Sequence, residues 1–203
     1  TLHGIENVPK NSRLQFASNH PLGALDGIML IDAVYEHFGE PRFLVNDLLL
    51  KLQIFDPIFI PINAFGPTSK QVATLIDSVY ASNMPVIVFP SGMASRKING
   101  KIIDLEWKKS FVQKSIEHQR DIVPVFFKGK NSTRFYRVAN WRKRLGIKAN
   151  LEMFLLPGEF YKQQNSHFDI YFGKPISWEV LKKERNVRYW TDEIRKIVYS
   201  LDA

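Results

Sequence analysis

The sequence predicts an α/β layer architecture in one domain. Three observations predict it. Short β-like runs alternate with helical runs, several of the β-like runs are apolar throughout, and no linker-like stretch divides the chain. Continuous apolar runs suit central strands buried on both faces. The 203 residues fit one domain at about 150 residues per domain. A chain this long buries roughly 70% of the surface its unfolded form exposes, so it needs no staple.

The elements follow in order. Strands are expected at 14–18, 42–45, 57–62, 85–89, 122–127 and 168–172, each rich in Val, Ile, Phe or Leu. Pro85-Val86-Ile87-Val88-Phe89 is the clearest apolar run. Helices are expected at 26–38, 69–81, 104–119 and 188–201. Gly39 marks the first helix's end. That helix carries Ile28-Met29-Leu30-Ile31 and is apolar almost all round, which predicts burial. Leu151-Glu152-Met153-Phe154-Leu155-Leu156 reads as a return to the core.

Composition narrows the function. The chain has no cysteine, which excludes disulfides, thiolate zinc sites and a cysteine nucleophile. Net charge is 28 − 20 = +8, which favours an anionic partner. The segment 128–148 holds eight Lys or Arg, no acid, and interleaved Phe135, Tyr136 and Trp141. Taken alone it fits a merely solvated face as readily as a lipid surface, an acidic carrier protein or a nucleic acid. No nucleic-acid motif accompanies it, so no nucleic-acid partner is expected. His3, His37, His118 and His167 lack metal-ligand spacing, and no metal is expected. Trp107, Trp178 and Trp190 are assigned to packing. No run of 18 apolar residues suggests a membrane span. The chain opens on Thr1, and a membrane-contacting segment is expected upstream of it.

The chemistry-bearing stretch is Asn19-His20-Pro21-Leu22-Gly23-Ala24-Leu25-Asp26-Gly27, where a strand end meets a helix start. Strand ends are where loops converge on ligands in α/β sheets. A His acts best as a base when a carboxylate holds one ring nitrogen. Six residues apart, His20 and Asp26 cannot meet on a continuous helix, but Pro21 and Gly23 predict a tight turn that folds one over the other. The residues alone leave a second reading open, with Asp26 an N-cap and His20 a loop residue.

That stretch, Phe89-Pro90-Ser91-Gly92-Met93-Ala94-Ser95-Arg96, Val123-Pro124-Val125 and Asn131-Ser132-Thr133-Arg134-Phe135-Tyr136 occur in this order. Together they resemble the PlsC-like glycerolipid acyltransferases, in particular the hemolysin-like branch that acylates lyso-ornithine and other lyso-aminolipids. The resemblance implies a mixed central sheet flanked by helices, spanning residues 1–203 as one acyltransferase domain. It implies O-acyl transfer from acyl-carrier protein or coenzyme A, as co-substrate with no bound cofactor, to a lysolipid hydroxyl. Catalysis would fall to His20 and Asp26, and substrate binding to Asn19, Asn63, Ser91, Gly92, Ser95, Arg96 and Lys97. Arg96 and Lys97 follow the loop, where they would pair with an anionic headgroup or carboxylate; the other reading is a solvated charge pair at a helix entrance. Backbone amides of the Ser91-Gly92 turn are the expected oxyanion donors. Residues 59–63 carry no Arg for an acceptor phosphate, which favours a zwitterionic or amino-acid headgroup. The implied location is the cytoplasmic face of the bacterial inner membrane. Two alternatives stand beside this reading: an esterase or thioesterase using Ser91, and a non-enzymatic basic membrane-binding module.

Overall fold

The computed structural model describes residues 1–10, 13–46, 58–62, 70–147, 149–183 and 186–202. The elements are β1 (Leu2–His3), β2 (Leu14–Ser18), α1 (Ala24–Phe38), β3 (Arg42–Asn46), β4 (Phe59–Ile62), α2 (Lys70–Ala81) and β5 (Val86–Val88). They continue with β6 (Arg96–Ile98), β7 (Lys101–Ile103), α3 (Ser110–Glu117), β8 (Asp121–Lys128) and α4 (Thr133–Arg144). A 3-10 turn (Leu151–Leu155) leads into α5 (Leu156–Lys162), β9 (Asp169–Phe172), α6 (Trp178–Lys183) and α7 (Val187–Ser200).

The main sheet runs β1-β9-β8-β2-β5-β3-β4. Its centre is parallel, with β2 between β8 and β5. Antiparallel pairing of β9 with β8 makes the sheet mixed. All five residues of β2 and all three of β5 are buried, as their apolar runs predict for central strands. One core gathers Phe16, Leu30, Val34, Phe43 and Phe127. The other, on the opposite face, gathers Tyr80, Val88, Trp107, Phe111 and Ile194. Buried Arg120 anchors α2 by donating to the carbonyls of Val79 and Tyr80 and, just beyond, Ser82 and Met84. A cation among carbonyls at a helix C-terminus is electrostatically well placed.

Three expectations change. The helix expected at 104–119 starts only at Ser110. Before it, the Trp107 indole donates to Asp104 and the Lys108 N–H to the Pro90 carbonyl, which hold 104–109 as a loop. Arg96 and Lys97 sit on a hairpin, β6–β7, rather than at a helix entrance. Its turn is Asn99-Gly100, with φ of 49° and 82°, the paired positive angles that a tight hairpin turn demands. The 151–157 stretch returns to the core only in part: Leu155 and Leu156 pack against the Phe135–Tyr136 cluster, while Phe154 is 83% exposed and the charged Glu152 is fully buried.

Candidate active site

The site forms where β2 ends and α1 begins. Gly23 precedes α1 at φ 86°, a left-handed conformation that costs glycine nothing. A Cβ there would also lie 3.0 Å from the Leu156 methyl carbons, which would have to shift to admit it. The resulting turn folds His20 over the first turn of α1. Its ring nitrogen Nδ1 lies 3.1 Å from the Asp26 carboxylate. Asp26 is fully buried and also accepts from the backbone N–H groups of Leu22 and Gly27, both at 2.9 Å. These bonds satisfy its oxygens and keep the carboxylate aimed. The His20 ring stacks on Phe89 at 4.0 Å between centroids.

In the tautomer that carries its proton on Nδ1, the ring donates to Asp26 and Nε2 keeps its lone pair. His20 lines a largely apolar cavity together with Phe89, Gly92, Arg96, Met153 and Leu156. No described residue hydrogen-bonds Nε2, so that atom is free to accept a proton from a group in the cavity.

The peptide around His20 is pinned from both sides. Its N–H donates to the Asp104 carboxylate at 3.1 Å, and its carbonyl accepts from the Ser95 N–H at 2.7 Å. Asp104 also accepts from the Ser95 hydroxyl at 2.5 Å and the Trp107 indole at 2.9 Å. Burial raises the Asp104 carboxyl above its ordinary value, and these donors offset only part of that rise. Its own N–H donates to the Tyr199 hydroxyl at 2.8 Å, which ties this knot to α7. Asp104 was absent from the sequence-based candidates because its partners are remote in the chain.

The Asn131–Tyr136 motif supports the same turn. The Asn131 amide donates to the Pro21 carbonyl at 3.2 Å. Ser132 caps α4, and the Tyr136 hydroxyl accepts from the Asn131 N–H at 3.0 Å.

The remaining candidates divide. Arg96 lines the cavity, over the Phe135 ring and 2.5 Å from Glu152. Burial pulls its guanidinium below the ordinary range, while the Glu152 carboxylate pushes it back up. Arg142 holds the other Glu152 oxygen at 2.7 Å, so two cations share one buried anion and a net positive charge remains beside the cavity. Gly92 lines the cavity, but its N–H donates to the Phe89 carbonyl at 2.9 Å. The expected oxyanion donor at Gly92 is therefore already engaged. Ser91 is buried and donates its hydroxyl to the Met93 carbonyl at 2.9 Å, outside the cavity lining. That arrangement does not suit an attacking serine. Ser95 serves the Asp104 knot. Asn19 uses its amide on both backbone groups of Phe127, at 2.7 and 3.0 Å. Lys97 is exposed on the hairpin, away from the cavity lining. Asn63 lies outside the described residues.

Lys108 was not among the candidates, yet it lines the cavity. A Cβ on Gly92 would lie 3.5 Å from its ammonium nitrogen. Among the described residues no carboxylate lies within ion-pair distance of it. The 104–119 stretch read as a helix, which hid its approach to Gly92.

Comparison with known proteins adds an independent finding. A family model described as acyltransferase matches residues 1–203. A lyso-glycine lipid O-acyltransferase of Bacteroides thetaiotaomicron is 44% identical over 199 residues, covering 98% of this chain and 73% of that protein. A protein of the same name from Phocaeicola vulgatus is 43% identical over 201 residues, covering 98% of this chain and 72% of its own. Among solved structures, the 1-acyl-sn-glycerophosphate acyltransferase PlsC of Thermotoga maritima superposes with a TM-score of 0.57. That match covers all of this chain and 72% of the other at 17% identity, a likeness of fold alone.

Proposed function

The chain belongs to the acyltransferase family whose model spans it, and on that premise we propose that it acylates the hydroxyl of a lysolipid from a thioester donor, with His20 as general base. The observation that carries the proposal is His20 held by Asp26 through Nδ1 while lining an apolar cavity. A thioester is already activated, so the protein has only to position the reactants and move a proton. The acceptor O–H gives its proton to Nε2 as its oxygen bonds to the acyl carbon. The tetrahedral intermediate then collapses, the C–S bond breaks, and the departing thiolate takes the proton back from the imidazolium. Asp26 stabilises that cation and fixes the ring orientation.

The acceptor is a lysolipid with a carboxylate head. Relatives named for lyso-glycine lipid support this, since glycine joined through its amine keeps a carboxylate. So does the charge at the cavity, where Arg96 and Lys108 are the cations. The donor is acyl-carrier protein or coenzyme A carrying a fatty acid.

The test is incubation with each acyl thioester and a panel of lysolipids, followed by mass analysis. Wild type should convert a lyso-glycine lipid to its diacyl form. His20→Ala should lower turnover by about 10²–10⁴-fold, the usual contribution of a positioned base. Turnover by His20→Ala at the wild-type rate would sink the assignment.

A further inference from the structure

The outer face of α4 and the turn beyond it carry a surface that the catalytic chemistry does not use. Among the described residues, 13 large apolar side chains are exposed, and seven of them fall within residues 141–161. Trp141 is 72% exposed, Phe154 83% and Tyr161 75%. Of the seven, Trp141, Leu145, Ile147 and Leu151 line one groove together, and contiguous exposed apolar side chains mark an interaction site, whereas single ones do not.

The pattern is helical. Arg134, Arg137, Val138, Trp141 and Leu145 share one face of α4, opposite the buried Phe135, Tyr136 and Ala139. With Ile147 and Leu151 they line a groove of about 420 Å³. Arg134, Arg137, Lys143 and Arg144 have no carboxylate within 4.0 Å among the described residues, and 133–144 contains no acid. Apolar side chains are therefore exposed beside uncompensated positive charge.

We infer that this face seats the protein on a bilayer containing anionic lipid. Aromatic and aliphatic side chains enter the headgroup boundary while the arginines meet the lipid charge. The charge selects this occupant. A second copy would bring like-charged faces together, and an acidic carrier protein would answer the arginines but does not call for the exposed Trp141, Leu145, Ile147 and Leu151, which a bilayer buries. The position fits as well. Met153 and Leu156 line the catalytic cavity while Leu151 lines the groove, so one short segment separates the bilayer-seated face from the reaction.

The test is vesicle binding without donor or acceptor, so it does not depend on the transfer chemistry. Vesicles of phosphatidylglycerol mixed with phosphatidylcholine are compared with phosphatidylcholine alone. Wild type should bind the anionic vesicles, with tryptophan emission shifting to the blue. Trp141→Phe should bind but lose most of that shift. Arg134→Gln with Arg137→Gln should weaken binding about 30-fold at low salt, from about fivefold per basic residue. Trp141→Ser with Leu145→Ser should weaken it about tenfold or more. All four side chains face solvent or the groove, so melting should be unchanged and checks the fold. The inference fails if wild type does not bind, or if both double variants bind as wild type does. It also fails if the substitutions leave vesicle binding intact while abolishing a complex with acyl-carrier protein or a dimer of this chain.

Discussion

The backbone N–H of His20 donates to the carboxylate of Asp104 across 84 positions of sequence. The imidazole's place is therefore set twice, through Asp26 at the ring and through Asp104 at the peptide. Asp104→Asn would turn an amide NH₂ either toward the Trp107 indole or toward both the His20 N–H and the Ser95 hydroxyl, which share one carboxylate oxygen. A buried donor facing a donor costs about 1–3 kcal/mol. The expected result is a lower denaturation midpoint together with a fall in kcat of about tenfold, KM staying near wild type. Asp104 is a positioning residue, so a change confined to stability, with kcat intact, would remove it from the mechanism.

Lys108 makes a separate, electrostatic prediction. Its ammonium stands beside Gly92 at the cavity with no carboxylate in reach among the described residues. Lys108→Ala should raise KM for a carboxylate-bearing lysolipid about fivefold at low salt and leave kcat within about twofold, as expected for one exposed charge. Added salt should shrink the difference. Equal effects on a neutral-headed lysolipid would show that Lys108 does not read the head.

Glu152 tests the buried charge cluster. It is fully buried between Arg96 and Arg142, whose side chains are 9% and 15% exposed. Glu152→Gln leaves two nearby guanidinium groups without an anion. Removing one partner of a buried ion pair typically costs about 3–5 kcal/mol. Chemical denaturation should read a loss of that size, and a loss under about 1 kcal/mol would mean that water already screens the cluster.

How much of this was legible in the sequence follows from how local each interaction is. His20 and Asp26 were readable because one short turn joins them and glycine marks that turn. The central strands were readable because burial on both faces leaves no polar alternation. Asp104 was not, since its bonds to His20, Ser95 and Tyr199 depend on tertiary packing. Lys108 was hidden because the stretch from 104 reads as a helix, whereas the Trp107 indole bonded to Asp104 and the Lys108 backbone N–H bonded to the Pro90 carbonyl hold a loop. The β6–β7 hairpin did carry a signal, Asn99-Gly100, but strands of only three residues give little periodicity. The 151–156 run misled for a different reason. Leu151 and Phe154 face outward while two arginines draw Glu152 inward, and sequence pattern does not weigh ion pairs.

Glu159 gives a prediction in pH. Its carboxylate accepts from the Ser132 N–H at 2.5 Å and hydroxyl at 2.7 Å, joining α5 to the N-cap of α4, and from Lys162 at 2.9 Å. Burial pushes its carboxyl up, but these donors outweigh that and hold it below the ordinary 4.5. A depressed carboxyl stabilises the fold when ionised. The contribution is full above the unfolded value of 4.5 and is lost as pH falls through the lower folded value. Glu159→Gln should cost about 1–2 kcal/mol at neutral pH, the range for a hydrogen bond to a charged group offset by the exposed Lys162. The gap between wild type and variant should narrow steadily below pH 4.5. Urea midpoints measured across acid pH check this, and a gap that widens toward acid would reverse the sign and overturn the assignment of Glu159 as an ionised cap.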